Sequence, residues 1–384
     1  MTLPSTFPRP RILDQTSAPS LRWGILGPGH IASAWVQAVK RFTNQRVVAV
    51  GSRSLDRASA FASRFEIPVA CGSYEELLAR PDVDAVYVAV PSTQHLAYGL
   101  MAIAAGKHVL IEKPLAPTAA DAQTLTSAAR AAGVFLMEGM WTRYLPQADV
   151  IRQLVSDGVL GELQVFLADH GRALVTDPLH VDAGISALDG MGIYPIALSS
   201  ELLGPPVDIL AQGLLAPSGA DLYATVAFSH EGGAHSAIST SIVTRTPIAA
   251  TIAGSAARID IHPPAFTPTS FTLSTPEKIS RNLEWAEPTG MTFYDGLSWE
   301  ATALAGFAAD GQIESPLHTH AETVSILETI DEARRQLSKS ESARRTPRTS
   351  PDKKPHQTAS PVSTSHRPQD LPSGDHENCP LVRL

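Results

Sequence analysis

Between residues 21 and 138 the sequence alternates short apolar runs with segments of helical periodicity. The runs are WGIL (23–26), VVAV (47–50), AVYVAV (85–90), HVLI (108–111) and VFLM (134–137). Their continuous apolar character predicts strands that are buried on both faces. The segments between them place apolar residues three and four apart, which indicates amphipathic helices. Strands that alternate with helices predict a doubly wound parallel sheet, and the predicted fold class is therefore α/β.

The pattern changes after about residue 145. The runs LYATVAFS (222–229) and SAISTSIV (236–243) alternate apolar with polar residues, which is typical of an antiparallel sheet with one covered face. We therefore expect a domain with a doubly wound parallel (Rossmann) sheet at residues 21–145. Residues 146–337 are expected to form an α+β domain with a mainly antiparallel, open-faced sheet.

Both ends of the chain lack apolar periodicity. Residues 1–20 are rich in Pro, Ser and Thr and predict a flexible leader. Residues 338–384 have a similar composition. Because such a segment cannot bury enough apolar surface to offset its chain entropy, we expect a disordered tail there.

The charge balance and the composition argue against several classes of protein. The 30 Lys and Arg residues against 38 Asp and Glu residues give a formal net charge of −8, which disfavours nucleic acid and anionic membrane surfaces as partners. The 2 cysteines are too few for a disulfide framework or a zinc ribbon. No apolar run reaches the roughly 18 residues of a membrane-spanning helix. We expect a cytoplasmic protein that acts on small molecules and binds no metal.

A glycine-rich motif lies between the first predicted strand and the first predicted helix. It reads Gly27-Pro28-Gly29-His30-Ile31-Ala32, the G-x-G-x-x-A form of the dinucleotide fingerprint. Gly27 permits the tight turn, Gly29 lets a pyrophosphate approach the backbone, and Ala32 lets the helix pack closely on the strand. The start of the helix adds free N–H groups and a positive dipole. An ordinary glycine-rich turn is the alternative.

The end of the second predicted strand indicates which dinucleotide is bound. An NAD site usually has an acidic residue there, where it holds the ribose hydroxyls. This chain has Gly51-Ser52-Arg53-Ser54, followed by Arg57, and no acid at the strand end. Hydroxyl groups and guanidinium groups suit a 2′-phosphate, so we predict NADP, with NAD as the alternative. A solvated surface arginine is the other interpretation of Arg53.

Several motifs farther along the chain occur in the order of a known family. They are Val90-Pro91-Ser92-Thr93-Gln94-His95, Glu112-Lys113-Pro114, MEGMWTRYLP (137–146), Gly192-Ile193-Tyr194-Pro195, Ser315-Pro316 and His320-Ala321-Glu322-Thr323. With the glycine loop, they resemble the Gfo/Idh/MocA oxidoreductases over residues 21–337. The later motifs are most similar to the branch that contains dimeric dihydrodiol dehydrogenase and glucose-fructose oxidoreductase.

The resemblance implies a reaction and a catalytic pair. The reaction is hydride transfer between NADP and a hydroxyl-bearing carbon of a sugar, a polyol or a cyclic trans-diol, and the pair is Lys113 and Tyr194. Oxidation of an alcohol needs a proton acceptor, and an ammonium group near a phenol favours the anionic phenolate. The resemblance also implies a homodimer, or a higher homo-oligomer, through the open face of the second sheet.

The resemblance and the positions at strand ends assign further side chains to the site. The remaining cofactor candidates are Pro91, Ser92, His95, Glu112, Lys113, Trp141 and Arg143, and the substrate candidates are His95, Trp141, Asp189 and Tyr194. Structural roles are the alternatives. They are an ion pair for Lys113, a place in the core for Tyr194, a helix cap for His95, and packing between domains for Trp141 and Arg143.

The chain departs from the family at one position. Relatives usually have an aspartate four residues before the tyrosine, where this chain has Gly190, and the acid lies one residue earlier at Asp189. On a helix this displacement rotates the carboxylate by about 100°. Asp189 is therefore a weak substrate candidate, with a surface or capping role as its alternative.

Other signatures of catalysis are absent from the sequence. It has no Tyr-x-x-x-Lys motif of short-chain dehydrogenases, no His-Glu-x-x-His zinc motif and no Gly-x-Ser-x-Gly elbow. The alternative from another class is a non-catalytic NADP-binding sensor or regulatory protein. The missing aspartate favours that alternative, whereas the presence of both Lys113 and Tyr194 argues against it.

Overall fold

The computed structural model of the protein describes residues 4–181, 185–275 and 282–345, except for the side chains of residues 180 and 341–345. Two sheets, of six and eight strands, organise this part of the chain. The structure confirms the predicted α/β class, with a parallel sheet first and a mainly antiparallel sheet second.

The first sheet is parallel and has the strand order β3-β2-β1-β4-β5-β6. Its strands are β1 (Arg22–Leu26), β2 (Arg46–Gly51), β3 (Val69–Cys71), β4 (Ala85–Val88), β5 (His108–Glu112) and β6 (Leu136–Gly139). Its helices are α1 (His30–Phe42), α2 (Leu55–Phe65), α3 (Tyr74–Leu78), α4 (His95–Ala104) and α5 (Ala119–Ala132). The order reverses between β1 and β4, and a sheet of this kind binds its ligand beyond the carboxyl ends of the strands at that point.

Local sequence explains where the helices of the first sheet begin and end. The Ser54 side chain accepts a hydrogen bond from the Arg57 N–H and so caps the start of α2. Thr118 caps α5 in the same way, and α5 ends at Gly133, whose φ of 64° lies in the left-handed region. Between α1 and the sheet, the Trp35 ring stacks on the Tyr87 ring at 4.7 Å. This apolar contact fixes α1 above β1 and β4.

The second sheet has the order β14-β13-β12-β11-β7-β10-β9-β8. Its strands are β7 (Leu163–Gly171), β8 (Asp208–Leu215), β9 (Asp221–Ser229), β10 (His235–Ser241), β11 (Ala250–Gly254), β12 (Arg258–Ile261), β13 (Phe271–Ser274) and β14 (Asn282–Trp285). The accompanying helices are α6 (Pro146–Ser156), α7 (Ile193–Leu203), α8 (Leu297–Ala309) and α9 (His320–Arg345). β7 and β10 are parallel, whereas the other neighbouring pairs are antiparallel.

The amino-terminal segment corrects one expectation. Residues 4–20 pack on the body of the protein instead of forming a free leader. The Arg11 N–H donates to Asp149 Oδ2 at 2.7 Å, the Gln15 amide donates to Ser298 Oγ at 2.7 Å, and the Phe7 ring meets the Phe271 ring edge-on at 5.2 Å. Composition alone could not predict these contacts, because each one joins a single group of this segment to a residue far along the chain.

The carboxyl-terminal boundary also differs from the prediction. The helix α9 continues to Arg345, beyond the expected boundary at residue 337, and the pair of Arg335 with Glu332 stabilises it just before that boundary. The rest of the expected tail, residues 346–384, lies outside the described residues. Within the described chain, no helix has both the length and the apolar character needed to cross a membrane.

Candidate active site

The glycine loop has a shape that fits a dinucleotide. Gly27 has a φ of +95°, and a Cβ atom at this residue would lie 2.8 Å from the Ala89 backbone oxygen. No side chain caps the start of α1 at Gly29, so the N–H groups of its first turn face outward as anion donors. Ala32 is fully buried beneath the loop. The three small residues therefore have the conformation and burial that the fingerprint predicts, and this backbone would hold the pyrophosphate of NAD or NADP.

A groove of about 660 Å³ runs from this loop along α1 and α2. Arg57 and Arg64 line it, as do Pro28, Gly29 and His30. Arg53 is exposed at the end of β2 and does not line the groove, and Ser52 is buried, where its hydroxyl accepts from the Ser54 N–H at 3.3 Å. Arg64 lies outside every motif of the sequence, so no sequence signal could have identified it.

A larger cavity of about 1010 Å³ lies between the carboxyl ends of the first sheet and the second sheet. It brings together most of the predicted site residues, namely His30, Ile31, Ser92, His95, Glu112, Lys113, Trp141, Asp189 and Tyr194. Its wall also includes residues that the sequence did not single out, namely His170, Arg172, Arg245, Phe266, Phe293 and Tyr294.

Lys113 lies at the end of β5 and projects into the cavity. Its Nζ donates to the Gly190 backbone oxygen at 2.6 Å and lies 4.7 Å from the centre of the Tyr194 ring. Burial lowers the pKa of the Lys113 ammonium, whereas the neighbouring Glu112 raises it. The Glu112 carboxylate accepts from the Tyr87 hydroxyl and from the Lys113 backbone N–H. The predicted pair of Lys113 and Tyr194 thus shares one cavity.

The phenol of Tyr194 is held by an indole group. Trp141 Nε1 donates to Tyr194 Oη at 3.1 Å. Burial raises the pKa of Tyr194 well above its usual value, and the negative charge of Glu112 raises it further. The Lys113 ammonium contacts the face of the ring. The expectation that this ammonium favours the phenolate is therefore corrected, because the resting phenol keeps its proton.

His170, at the end of β7, completes the wall around Tyr194. Its ring lies 5.2 Å from the Phe266 ring and 5.4 Å from the Tyr194 ring. Burial, together with the positive charges of Lys113 and Arg172, lowers the pKa of His170 to about 3. The imidazole is therefore neutral at physiological pH. It was missed because its strand carries no recognisable motif.

Other candidates have structural partners. The two ring nitrogens of His95 lie 2.8 Å from Pro114 O and 2.9 Å from Val90 O, so no ring nitrogen is free for a ligand. This side chain fastens the loops after β4 and β5. Pro91 precedes a single 3₁₀ turn at Ser92–Gln94 and shapes the first of these loops.

The structure does not bring Arg143 to the cavity. Its guanidinium donates to Ala197 O at 2.9 Å and pairs with Glu201 at 3.3 Å and Glu322 at 3.5 Å. The motif that contains Trp141 forms a 3₁₀ turn at Trp141–Tyr144, and this turn directs Arg143 away from the side of Trp141. Arg143 therefore packs between elements of the second domain.

Asp189 also has a protein partner. It lies in a π-helical turn (Leu188–Gly192) that precedes α7, and its carboxylate accepts two hydrogen bonds from Arg334 of α9, at 2.7 and 2.8 Å. Gly190, at the position of the usual aspartate, faces open space and holds Lys113 through its backbone oxygen. Among the residues described, no group of three or more His, Cys, Asp or Glu side chains could hold a metal ion.

Two family models match the chain. Residues 21–140 match the oxidoreductase family with an NAD-binding Rossmann fold, and residues 149–260 match the GFO/IDH/MocA C-terminal domain. Trans-1,2-dihydrobenzene-1,2-diol dehydrogenase from Macaca fascicularis is 34% identical over 332 residues, which cover 83% of this chain and 97% of that protein. The enzyme of the same name from Homo sapiens is 32% identical over 332 residues, with the same coverage.

Solved structures agree with these matches. KijD10, a 3-ketoreductase from Actinomadura kijaniata in complex with NADP and TDP-benzene, has a TM-score of 0.73 and 25% identity, and the match covers 83% of this chain and 98% of that chain. Levoglucosan dehydrogenase in complex with NADH and L-sorbose has a TM-score of 0.75 at 17% identity, covering 84% of this chain and 97% of that chain, and shows the shared fold. The chain therefore belongs to the Gfo/Idh/MocA family and is an NAD(P)-dependent oxidoreductase.

Proposed function

We propose that the protein transfers hydride between NADP and a hydroxyl-bearing carbon of a sugar, a polyol or a cyclic trans-diol. The observation that carries this proposal is the contact of Lys113 with Tyr194 inside one cavity, 4.7 Å from Nζ to the ring centre. The relatives named trans-1,2-dihydrobenzene-1,2-diol dehydrogenase support the substrate class. A bound nicotinamide supplies or accepts the hydride.

Three side chains transfer the proton and orient the reacting oxygen. Tyr194 Oη keeps its proton at rest, so it serves as the acid that protonates a carbonyl oxygen as the hydride arrives during reduction. In the oxidation direction the phenol must first release its proton, and the phenolate then takes the hydroxyl proton of the substrate as the hydride leaves. Trp141 fixes the position of Oη by its hydrogen bond. Lys113, anchored on Gly190 O, directs its other N–H bonds at the substrate oxygen.

The aromatic wall gives the site its second property. His170 and Phe266 stack beside Tyr194 and exclude water from its ring. A drier site strengthens the hydrogen bonds made to the reacting oxygen. The neutral His170 adds no positive charge beside Lys113, which leaves the Lys113 ammonium as the main cation at the reacting oxygen.

NADP as the preferred cofactor is supported by Arg57 in the groove, by the absence of an acid at the end of β2, and by the NADP bound to the related ketoreductase. Replacing Arg53 and Arg57 together with alanine should raise the KM for NADP at least tenfold more than the KM for NAD. Arg46→Ala is the matched control, because Arg46 is an exposed arginine at the opposite end of the same strand. Equal effects on the two cofactors would refute the NADP assignment.

Turnover is tested by absorbance of the reduced nicotinamide with a panel of diols and aldoses. Lys113→Met should lower kcat by about 10²-fold or more while the Kd for NADP changes little. A protein that binds NADP but turns over no member of the panel would support the sensor alternative. Undiminished turnover by the variant would contradict the assigned role of Lys113.

We also propose a homodimer through the open face of the second sheet. A row of apolar residues, Leu210, Ala227, Ala237 and Leu167, crosses four neighbouring strands on this face. Leu210 and Leu167 are 62% and 48% exposed. Leu167→Lys should convert a dimer to a monomer in light scattering, whereas Leu179→Lys, at a 69% exposed leucine outside the sheet, should not. A wild-type monomer would refute this proposal.

A further inference from the structure

Two arginines line the active-site cavity without a role in the proposed hydride transfer. Arg172 directly follows β7, and Arg245 lies in the loop after β10. Because β7 and β10 are neighbouring parallel strands, their carboxyl ends meet at one edge of the second sheet. There the Gly171 N–H donates to Thr246 Oγ1 at 2.8 Å, and the Thr246 N–H donates to Gly171 O at 3.2 Å. Arg172 follows Gly171 in the chain and Arg245 precedes Thr246, so each arginine is next to one member of this hydrogen-bonded pair.

Neither guanidinium has an acidic partner within the described ranges. Both arginines line the cavity, and no carboxylate of the described part of its wall forms an ion pair with them. Arg143 and Arg334, by contrast, form ion pairs with Glu201 at 3.3 Å and with Asp189 at 2.7 Å, respectively. An unpaired arginine beside a cavity is a ready donor for a planar anion.

The carboxylates that line the same cavity are already engaged. Asp189 accepts two hydrogen bonds from Arg334, and Glu112 accepts from the Tyr87 hydroxyl and the Lys113 N–H. Among the described residues, the charges of the wall that have no partner are therefore cationic. The positive charges of Lys113 and Arg172 also reach His170, where they oppose protonation of its ring.

His170 provides a second, independent indication of a ligand. This side chain is 7% exposed and lines the cavity, and its Nδ1 has no hydrogen-bond partner among the residues described. A buried polar atom without a partner is costly unless a ligand or a water molecule satisfies it. His170 and Arg172 are separated in the chain only by Gly171, so the unpartnered Nδ1 atom and a guanidinium without a described acidic partner lie in one part of the wall.

The phosphate groups of a bound cofactor would be held in a different part of the molecule. The glycine loop and the uncapped start of α1 belong to the first sheet, as do Arg57 and Arg64 in the adjoining groove. Arg172 and Arg245 instead follow two strands of the second sheet, β7 and β10. The cavity of about 1010 Å³ is at the upper end of the range for small-molecule sites, and the nicotinamide of a bound cofactor would fill its part near His30 and Ile31.

We propose that Arg172 and Arg245 form a subsite for an anionic group on the substrate, a carboxylate or a phosphate. This inference rests on the proposed function, and it narrows the substrate to an acidic hydroxy compound such as a sugar acid or a sugar phosphate. The anion is held at the edge of the second sheet while the carbon that bears the hydroxyl group lies at Lys113 and Tyr194. His170 lies between these two points and orients the part of the substrate that joins them.

Matched substrates test the subsite. With NADP, kcat/KM is measured for glucose, glucuronate and glucose 6-phosphate, so that the two acids separate carboxylate from phosphate binding. The variants are Arg172→Gln, Arg245→Gln and the double variant, and Arg258→Gln is the control at an exposed arginine of β12. For the preferred acid we expect a loss of about tenfold in each single variant and of about a hundredfold in the double variant. Glucose should change less than about twofold.

Binding without turnover separates this inference from the proposed function. Calorimetric titration of the NADP-loaded protein with glucuronate and with glucose 6-phosphate should show binding to the wild type and to Arg258→Gln, and none to the double variant. Arginine-dependent binding without any formation of reduced nicotinamide would refute the hydride-transfer proposal and leave the anion subsite standing. Turnover of neutral diols without binding of either acid would refute the anion subsite and leave the hydride-transfer proposal standing.

Three results would overturn the subsite. They are equal losses for glucose and for the acids, a raised KM for NADP in the arginine variants, and acid binding that survives in the double variant. A raised KM for NADP would mean that these arginines hold the cofactor. Thermal melting of each variant confirms that a loss of binding does not come from unfolding.

Discussion

Replacing Gly190 with aspartate should restore a carboxylate beside Lys113. The site accepts a side chain, because no atom lies within 4 Å of a Cβ built on Gly190. The Gly190 N–H donates to Ser186 O at 2.9 Å, so the backbone is helical there. A non-glycine residue should therefore leave the free energy of unfolding unchanged or raise it by up to about 1 kcal/mol.

The magnitude of the electrostatic effect follows from the position of Lys113. Its Nζ lies 2.6 Å from Gly190 O, so a carboxylate on residue 190 comes within about 5 Å of the ammonium. Coulomb's law gives about 3 kcal/mol at this distance with an effective dielectric constant near 20, and about 1 kcal/mol if water fills the cavity. This stabilises the charged form of Lys113 and opposes the lowering of its pKa by burial.

The assay is the pH–rate profile of the variant. The alkaline limb, where the Lys113 ammonium loses its proton, should move upward by about 1 to 2 pH units in Gly190→Asp. Gly190→Asn has nearly the same shape without the charge, and its profile should match the wild type. An unchanged alkaline limb in Gly190→Asp would show that Lys113 does not control the rate.

Two further changes test the aromatic wall. Trp141→Phe removes the N–H donor to Tyr194 Oη and should lower kcat by about 3- to 10-fold, with little change in the KM for NADP; an unchanged kcat would mean that this hydrogen bond does not position the phenol. His170 in the folded protein titrates at about 3, below its usual 6.5, so the unfolded chain gains a proton first as the pH falls and stability is lost below about pH 6.5. His170→Phe should therefore lose about 1 kcal/mol less stability than the wild type between pH 7 and pH 5.5 in urea titrations, and parallel pH curves would contradict this reasoning.

Much of the fold and part of the site could be predicted from the sequence. Alternating strands and helices fix a parallel sheet, and a parallel sheet brings the residues after its strands to one edge, which is why Lys113 and the glycine loop were found. The strand β3 was missed because Val69–Cys71 is too short to show periodicity. The predicted run 134–137 overlaps β6, which begins two residues later at Leu136.

The remaining site residues could not be found because tertiary packing brings them together. His170 and Arg172 lie at the carboxyl end of a strand without any motif, and only the meeting of the two sheets places them in the wall of the cavity that contains Lys113. Arg143 was predicted to lie in the site but does not line the cavity, and the reason is the opposite one. It lies in a recognisable motif beside Trp141, but the turn directs its guanidinium to Glu201 and Ala197 O.

The central claim is that Lys113 and Tyr194 act together on one reacting oxygen. A double-mutant cycle with Lys113→Met and Tyr194→Phe, read as kcat from the absorbance of reduced nicotinamide, tests it most directly. Each single variant should lose about 10²- to 10⁴-fold, and the double variant should lose no more than the worse single variant, because the two groups serve the same step. Losses that multiply in the double variant, or a single variant with full turnover, would contradict the account.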